Sequence, residues 1–273
     1  MKVSDFDAKN IIITSDDFAI SKGVDETVLE LCKIGALNSV SSFVVTERFA
    51  SSIAKLKQTN VNIGLHLSLT FGKALTIKRH SLITDGNGNF NKSFVQILFL
   101  SFAKPTEFQK IIEPEIKAQL AILMKHIASP SHIDGHQHIH TIPAVFEVVK
   151  KLQKEFHIPR VRIMNEKFWQ KYLWSPKNIS GTIKLAILRL LGAWNGVKSD
   201  TYFISIFRTC KIDKNFIDNY KIPNGFKNVE IMLHAGNLKI DCDNLSKERN
   251  HLTSKWRNIE TQFAKEFINR ENV

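Results

Sequence analysis

Four short apolar stretches, far apart in the chain, each end in acidic or histidine side chains. They read IIITSDDFA, NIGLHLSLT, HIDGHQHIH and VEIMLHAGN, and they carry Asp16, Asp17, His66, His136, His138, His140 and His234. If these stretches are parallel strands of one barrel, their carboxyl ends meet at the rim where such folds place their chemistry. Carboxylates and imidazoles gathered in this way are typical of a metal-dependent hydrolase.

The third stretch is the densest in ionisable groups. They occupy alternate positions along it: His132, Asp134, His136, His138 and His140. In an extended chain, neighbours on one face lie ~6.6 Å apart, whereas donor atoms around one ion with bonds of ~2.1 Å lie about 3 Å apart. One ion therefore cannot bind all three later histidines from a straight strand. Either the chain turns at Gly135 so that one or two bind the ion, or the surplus histidines orient ligands and substrate.

His234 also ends an apolar run, and the Ala-Gly pair that follows predicts a turn that holds its ring at the rim. A carboxylate and two imidazoles with open positions suit a divalent ion that polarises a carbonyl and activates water. Amide cleavage further needs a base for the water and an acid for the departing amine. We therefore expect two titratable groups beside the metal ligands.

The chain between these residues alternates apolar runs with amphipathic helical patterns, which predicts an α/β fold with a parallel sheet. We expect about seven strands, at residues 11–15, 39–45, 61–70, 132–136, 160–164, 201–207 and 229–234. Helices are expected before Gly35, from near Pro114, over 143–156, over 182–194 and after an N-cap at Ser246. The last helix should bury a stripe of Leu252, Trp256, Ile259, Phe263 and Phe267.

Residues 71–105 form a long insertion with a DGNGN turn and the apolar run FVQILFLSFA. Connections of this length are usually functional, and we expect a lid. The apolar runs 94–103 and 183–194 are shorter than the ~20 residues of a membrane span. We expect both to be buried. The alternative is that they lie at a bilayer surface, with Lys104, Lys184 and Arg189 towards anionic headgroups.

A chain of 273 residues with 43% apolar content suits a single domain over residues 1–273. The cysteines, Cys32, Cys210 and Cys242, are odd in number and widely spaced, and no apolar signal core is present, so we expect a reducing cytoplasm. The net charge of +12 favours an anionic ligand or the inner face of a membrane. No nucleic-acid module is recognisable, so nucleic acid is not expected as a partner. The oligomeric state stays open.

Five motifs together give the sequence a resemblance to a known family. They are TSDDFAIS at 14–21, GLHLSLT at 64–70, HIDGHQHIHTIP at 132–143, the stretch from Arg162 to Glu166, and EIMLHAGN at 230–237. In order and spacing they resemble the YdjC-like carbohydrate deacetylases, which include chito-oligosaccharide deacetylases and hopanoid-biosynthesis relatives. The resemblance implies a distorted (β/α) barrel of the polysaccharide-deacetylase type that removes acetyl groups from N-acetylated sugars with one divalent metal.

The resemblance also implies a role for individual residues. Asp17, His66 and His136 would hold the metal, Asp16 would be the general base and His234 the acid. Beside the ligands or against substrate we expect Asp134, His138, His140, Arg162 and Glu166. The family suggests Mg²⁺, whereas imidazole ligands suit Zn²⁺. Two positions depart from the family pattern: Ala19 stands where glycine is usual, and Ala235 where proline is usual.

The expected function is therefore removal of an N-acetyl group from an acetylated amino sugar. The charge and the two apolar runs favour a sugar on a glycolipid or polyprenyl-phosphate carrier, with soluble chito-oligosaccharides as the alternative. A metal phosphoesterase is the rival enzyme, and it would usually need two metals bridged by a carboxylate. A sugar-binding protein without activity is the other rival, although it would have no need for a paired base and acid.

Overall fold

The computed structural model describes residues 1–77, 81–167, 179–209, 211–242 and 249–271. Within these ranges Cys32 is buried and Cys242 exposed, and both are free thiols. Cys210 and Ser246 lie outside the described residues. No helix in the described part of the chain combines the length and apolar character needed to cross a bilayer.

Seven parallel strands form one sheet. They are β1 Ile11–Phe18, β2 Ser39–Ser42, β3 Asn62–Leu67, β4 His132–Gly135, β5 Arg160–Val161, β6 Thr201–Ile204 and β7 Asn228–Leu233. The order across the sheet is β5-β4-β3-β2-β1-β7-β6, and the sheet curls into a half-barrel. The predicted α/β fold with about seven parallel strands is confirmed, although most strands are shorter than expected.

The curled sheet brings its two edge strands, β5 and β6, towards each other. The side chain of Asn165, just after β5, donates from Nδ2 to the carbonyl of Thr201 at 2.8 Å and accepts from the backbone N of Phe203 at 2.8 Å. These are the groups that a neighbouring strand would use in a sheet. The side chain of Asn165 therefore connects the two edges where a strand pairing would otherwise do so.

Nine α-helices surround the sheet in the described part of the chain. They are α1 Lys22–Lys33, α2 Phe49–Leu56, α3 Phe94–Ala103, α4 Pro105–Met124, α5 Pro143–Glu155, α6 Ile179–Trp194, α7 Lys214–Asn219, α8 Arg249–Leu252 and α9 Lys255–Glu271. Because the helices cover one face and the barrel interior the other, strands such as β3 are buried on both faces. In the sequence of β3, Ile63, Leu65 and Leu67 alternate with Asn62, Gly64 and His66, and this alternation separates an interior face from a helix-covered face.

Two helix predictions were wrong in detail. Helix α4 begins at Pro105, and Pro114 lies inside it, because the buried stripe of Ile116 and Leu120 continues upstream through Phe108 and Ile112. The closing helix is in fact two, α8 and α9, with a break at residues 253–254. Its buried face also differs from the predicted stripe. Charged Arg257 and Glu260 are fully buried, whereas Trp256 and Ile259 are half-buried.

The expectation that both apolar runs are buried was also wrong. Helix α3 buries only Ile97 and Ser101. Among the described side chains of α6, Leu185, Leu188 and Leu191 are buried and form one narrow stripe. Together these helices carry most of the large exposed apolar side chains in the described residues: Val95, Phe99, Phe102, Ile183, Ile187, Leu190 and Trp194. We call these seven side chains the α3–α6 face. Phe102 and Trp194 contact each other edge to face, with ring centroids 5.8 Å apart, so the two helices form one surface.

The role of Asn165 in connecting β5 to β6 can be tested by measuring the free energy of unfolding. Replacing Asn165 by Ala should lower the free energy of unfolding by about 1–3 kcal/mol, because the backbone N of Phe203 loses its acceptor in a site shielded from water. Asn219→Ala is the matched control, since within the described residues that exposed amide bonds only to Asn215 one turn away. Its effect should stay within about 0.5 kcal/mol. Equal urea midpoints for both variants would contradict a role for Asn165 in joining β5 to β6.

Candidate active site

The carboxyl ends of β1, β3, β4 and β7 meet around one polar pocket of about 280 Å³. The pocket is lined by Asp16, His66, Gly135, His136, Gln137, His138, Lys184, Thr209, His234 and His251. Four separate chain segments thus supply the predicted residues, as expected for parallel strands that share one rim.

Asp16 and Asp17 are neighbours in β1, where regular alternation would point them to opposite faces. The pairing of β1 with β2 is interrupted between Ser15 and Phe18, and Asp17 adopts a left-handed conformation with φ of 65°. Such an irregularity re-aims side chains near functional sites. As a result, both carboxylates reach the same cluster. Ala19 is left-handed as well, with φ of 71°, a conformation that glycine adopts without strain.

Asp17 lies between two imidazoles. Its Oδ1 is 3.4 Å from Nε2 of His66 and 3.2 Å from Nδ1 of His136, and all three side chains are buried. These separations match the spacing of about 3 Å between donor atoms around one ion. His136 reaches this position because β4 ends at Gly135 and the chain turns there, with Gln137 and His138 both left-handed. The turn at Gly135 is therefore the alternative that the structure adopts.

His66 is oriented by a second carboxylate. Its Nδ1 lies 2.7 Å from Oδ1 of Asp134, which leaves Nε2 directed at Asp17. Metal-binding histidines are commonly held in this way through their other nitrogen. Burial by itself would lower the pKa of His66, but the charges of Asp134 and Asp16 raise it to about 10. A cation bound between His66 and Asp17 would take the place of a proton on Nε2 of His66.

Arg162 connects three buried carboxylates. Its guanidinium donates to both oxygens of Asp16, at 2.8 and 2.9 Å, and it lies 2.7 Å from Oδ2 of Asp134 and 2.8 Å from Oε1 of Glu230. Arg160 also pairs with Glu230. Burial by itself would raise the pKa of Glu230, but the charges of Arg160 and Arg162 lower it to about 2. Asp16 is thereby fixed in position with its charge compensated.

The second carboxylate oxygen of Asp17, Oδ2, contacts two residues near the C-terminal end of the sequence, His251 and Arg257. This oxygen lies 3.0 Å from Nε2 of His251 and accepts from Nη2 of Arg257 at 2.7 Å. Burial by itself would raise the pKa of Asp17, but its hydrogen bonds with His136, His251 and His66 hold the pKa well below the usual range. Arg257 also donates to the carbonyl of Ala235, so the turn after β7 is tied to the same guanidinium.

Three groups of side chains in the described residues have their donor atoms close enough to share an ion. They are Asp17/His66/His136, Asp17/His234/His251 and Asp16/His66/Asp134. The third group already holds the guanidinium of Arg162, and the second uses the oxygen of Asp17 that Arg257 binds. A cation next to a guanidinium is disfavoured by repulsion. The first group therefore fits one divalent ion best.

His234 follows the last residue of β7 and lines the pocket. Its backbone N donates to Oε2 of Glu260 at 2.7 Å, and its ring packs edge to face on His251 at 5.1 Å. Burial lowers the pKa of His234 well below its usual value, although the charge of Asp17 opposes this shift. Burial also raises the pKa of Glu260 to about 7. Burial therefore favours the neutral form of the His234 ring.

The remaining predicted residues separate into two kinds. His138 lines the pocket, and burial lowers the pKa of its ring well below the usual value. His140 does not line it. Its Nε2 lies 3.1 Å from the carbonyl oxygen of Arg162, so His140 contacts the backbone of that arginine. Glu166 is also away from the pocket, where it accepts from the backbone N of Ile206 at 2.6 Å and of Phe207 at 3.1 Å. Burial raises its pKa to about 7.

Sequence reasoning missed several residues at or near the pocket. They include Gln137 and Thr209, which line it, and Lys184, Glu230, His251 and Arg257. Glu230 lies inside a quoted motif, and an acid within an apolar strand could have identified it as a buried charge. Arg257 and His251 give no comparable signal, because they lie in a polar stretch of a helical segment and contact Asp17 across more than 230 residues of chain.

A family model described as "YdjC-like protein" matches residues 10–266 of this chain. A carbohydrate deacetylase from Clostridium beijerinckii is 29% identical, with 96% of this chain and 96% of that protein aligned. A carbohydrate deacetylase from Brevibacillus brevis is 33% identical, with 55% of this chain and 57% of that protein aligned. Similarity to proteins of that name thus extends over nearly the whole chain in one case and over about half in the other.

A solved structure from Enterococcus faecalis V583, described as a cellobiose-phosphate cleavage protein, has the same fold. The TM-score is 0.61 at 17% sequence identity, with 96% of this chain and 95% of that chain covered. At this level of identity the likeness supports the fold of the half-barrel.

The cluster around Asp17 makes a prediction about metal content. His66→Ala or His136→Ala should abolish stoichiometric binding of a divalent ion, because a site with three protein ligands retains little affinity after the loss of one. The matched control is His157→Asn, which changes an exposed histidine and keeps a residue that tolerates its φ of 53°. Elemental analysis of the purified variants measures the result. Full metal occupancy in both alanine variants would place the ion elsewhere.

Proposed function

Because this chain belongs to the YdjC-like family, we propose that it is a metal-dependent N-deacetylase that acts on an acetylated amino sugar. The observation that carries the proposal is the buried group of Asp17, His66 and His136, with Asp16 and His234 beside it in the same pocket. A family whose relatives are named carbohydrate deacetylases supplies the substrate class. The geometry supplies a ligand set and two further titratable groups.

A divalent ion at this position would polarise the acetyl carbonyl and make a water molecule more acidic. Asp16 would accept the proton of the attacking water, and its double hydrogen bond to Arg162 holds the carboxylate in place for that transfer. The departing amine must be protonated, and His234 is the group proposed to do so. Because burial disfavours the protonated ring of His234, the ring must take up a proton from solvent before the amine departs, and the negative charges of Asp17 and Asp16 favour that uptake.

Two different arguments bear on the identity of the proposed ion. The family resemblance favours Mg²⁺, and we retain it as the proposed physiological ion. Two imidazoles and one carboxylate suit Zn²⁺, which is the alternative. Asp134 supports either choice, because it fixes the ring of His66 so that Nε2 is available to the ion.

The rival phosphoesterase function would need two ions bridged by a carboxylate. Asp17 is the candidate for such a bridge, but the guanidinium of Arg257 binds its second oxygen. That contact favours a single ion and therefore the deacetylase. The rival binding function does not account for Asp16. Arg162 holds this carboxylate at the pocket, and a protein that only binds sugar needs no proton acceptor there.

We further propose that the sugar is carried on a lipid and that the protein works at the inner face of a membrane. The support is the α3–α6 face, where Phe99 is 69% and Leu190 71% exposed although both are strongly apolar. Exposed apolar surface of this extent marks an interaction site, and adjacent basic residues suit anionic headgroups. Soluble chito-oligosaccharides are the alternative substrates. Residues 71–105 are proposed to cover the pocket as a lid within a single domain spanning 1–273.

The reaction can be tested with Asp16→Asn. The variant should fold and keep its metal but lose activity by ~10²–10⁴-fold, because an amide preserves the shape of the carboxylate and cannot accept a proton. The assay follows loss of one acetyl group by mass spectrometry across free and lipid-linked N-acetylhexosamines. Undiminished turnover on any substrate of the wild-type protein would assign the base to another residue.

The proposed membrane partner can be tested by sedimentation with liposomes. The protein should sediment with anionic vesicles at low salt and be released as salt rises, since basic residues near such a surface contribute about 1 kcal/mol each and are screened by ions. Phe99→Glu or Leu190→Glu should weaken this binding. Ile34→Glu adds the same charge at an exposed apolar position outside the α3–α6 face and should not. Equal sedimentation of all three variants would rule out this face as the contact.

A further inference from the structure

The proposed acid lies just beyond the end of a strand. The pairing of β7 with β1 ends at Leu233, so the next residue, His234, is no longer held by that neighbouring strand. Its backbone N donates instead to Oε2 of Glu260, at 2.7 Å, and Glu260, on helix α9, is fully buried. A side chain of α9 therefore takes up the hydrogen bond at the point where strand pairing stops.

Two more side chains of α9 bond to the residues that follow. Nη1 of Arg257 donates to the carbonyl of Ala235 at 3.2 Å. Oγ1 of Thr261 accepts from the backbone N of Gly236 at 3.2 Å. Because Arg257, Glu260 and Thr261 are spaced i, i+3 and i+4, they lie on one face of the helix. This face of α9 thus bonds to each residue of the turn at 234–236.

Glu260 also bonds to a second segment of the pocket. Its Oε1 accepts from the backbone N of Ile212 at 3.0 Å. Ile212 follows β6 and comes shortly after Thr209, which lines the catalytic pocket. One buried carboxylate therefore joins the turn that carries His234 to the segment that carries Thr209. Displacing this carboxylate would release both segments at once.

Glu260 contacts the backbone of His234 more closely than the ring. Its Oε2 lies 3.8 Å from Nδ1 of the ring, which is too long for a hydrogen bond. Burial raises the pKa of Glu260 to about 7, and the backbone bonds from Ile212 and His234 oppose this shift because they favour the charged carboxylate. These contacts describe a side chain that fixes the place of the histidine rather than one that accepts its proton.

From these contacts we propose that Glu260 is a positioning residue for His234. By holding the backbone of the turn, it keeps the imidazole at the place where the departing amine is protonated. A proton donor must lie within hydrogen-bond reach of the atom that it protonates, and a displacement of about 1 Å can cost ~10²-fold in rate. The inference rests on the proposed function, which assigns the role of acid to His234.

Two substrates that differ in their need for an acid test the inference. An amine leaves only when protonated, whereas 4-nitrophenolate leaves as an anion. Glu260→Gln preserves the volume of the side chain but offers one acceptor oxygen to two backbone N–H groups. It should lower kcat for the N-acetylhexosamine that the wild-type protein deacetylates fastest by about tenfold or more, with KM changed by less than about twofold. The rate with 4-nitrophenyl acetate should fall by less than about threefold, because that ester needs no acid.

A purely structural role for Glu260 predicts a different result. Loss of folded protein lowers the rates with both substrates by the same factor, so equal losses with amide and ester would overturn the inference. Glu266→Gln removes an exposed carboxylate from the same helix and should change neither rate. Thr261→Val removes the acceptor for Gly236 and should show the same selective loss to a smaller degree. It takes the place of Glu260→Gln if that variant does not fold.

A double-mutant cycle with His234→Ala uses the amide substrate alone. If Glu260 acts through His234, Glu260→Gln should lower kcat by less than about twofold once His234 is alanine, because the group that it positions is already absent. A loss as large as that in the wild-type background would contradict the inference.

The outcomes separate this inference from the proposed function. A wild-type protein that releases acetate from an N-acetylhexosamine, with equal losses for amide and ester in Glu260→Gln, would overturn the positioning role and leave the deacetylase intact. A wild-type protein that hydrolyses 4-nitrophenyl acetate but releases no acetate from any free or lipid-linked N-acetylhexosamine would overturn the deacetylase itself.

Discussion

The burial of four carboxylates at one end of the half-barrel is the constraint on which the rest of the structure depends. Each is at most 2% exposed: Asp16, Asp17, Asp134 and Glu230. An unpaired charge at such depth costs several kcal/mol, so the fold must bring counter-charges to it. Arg162, next to β5, binds three of the carboxylates, and Arg257, on the last helix, binds the fourth. Both ends of the chain are thereby joined at the pocket.

The two arginines also determine where chemistry can occur. They bind Asp16, Asp134 and the Oδ2 atom of Asp17, so the Oδ1 atom, which faces two imidazoles, is the oxygen that the proposed metal ion would contact. The same contacts orient the proposed base through Arg162 and the ring of His66 through Asp134. The polar pocket adjoins an apolar groove, because Gln137 and Lys184 line both cavities.

Much of the fold and part of the site could be predicted, because they depend on local patterns. Apolar runs that end in acids or histidines marked the strands, and parallel strands necessarily bring such ends together. The irregularity in β1 that lets both Asp16 and Asp17 reach the histidine cluster was not predictable, since regular alternation along a strand would point these two neighbours to opposite faces. Arg257 was missed because its contact with Asp17 spans the whole chain. The exposure of α3 and α6 was missed because the hydrophobicity of a helix alone does not show whether its apolar side chains are buried in the core or exposed at the surface.

The most direct test of the single-ion deacetylase is to count divalent ions per chain in a sample whose products are measured in parallel. Elemental analysis gives the ion content, and mass spectrometry with acetate detection gives the products from N-acetylated sugars and from phosphate esters. We expect one ion per chain, with one acetate and one free amine formed for each sugar. Two ions per chain, with phosphate released and no acetate formed, would contradict the account.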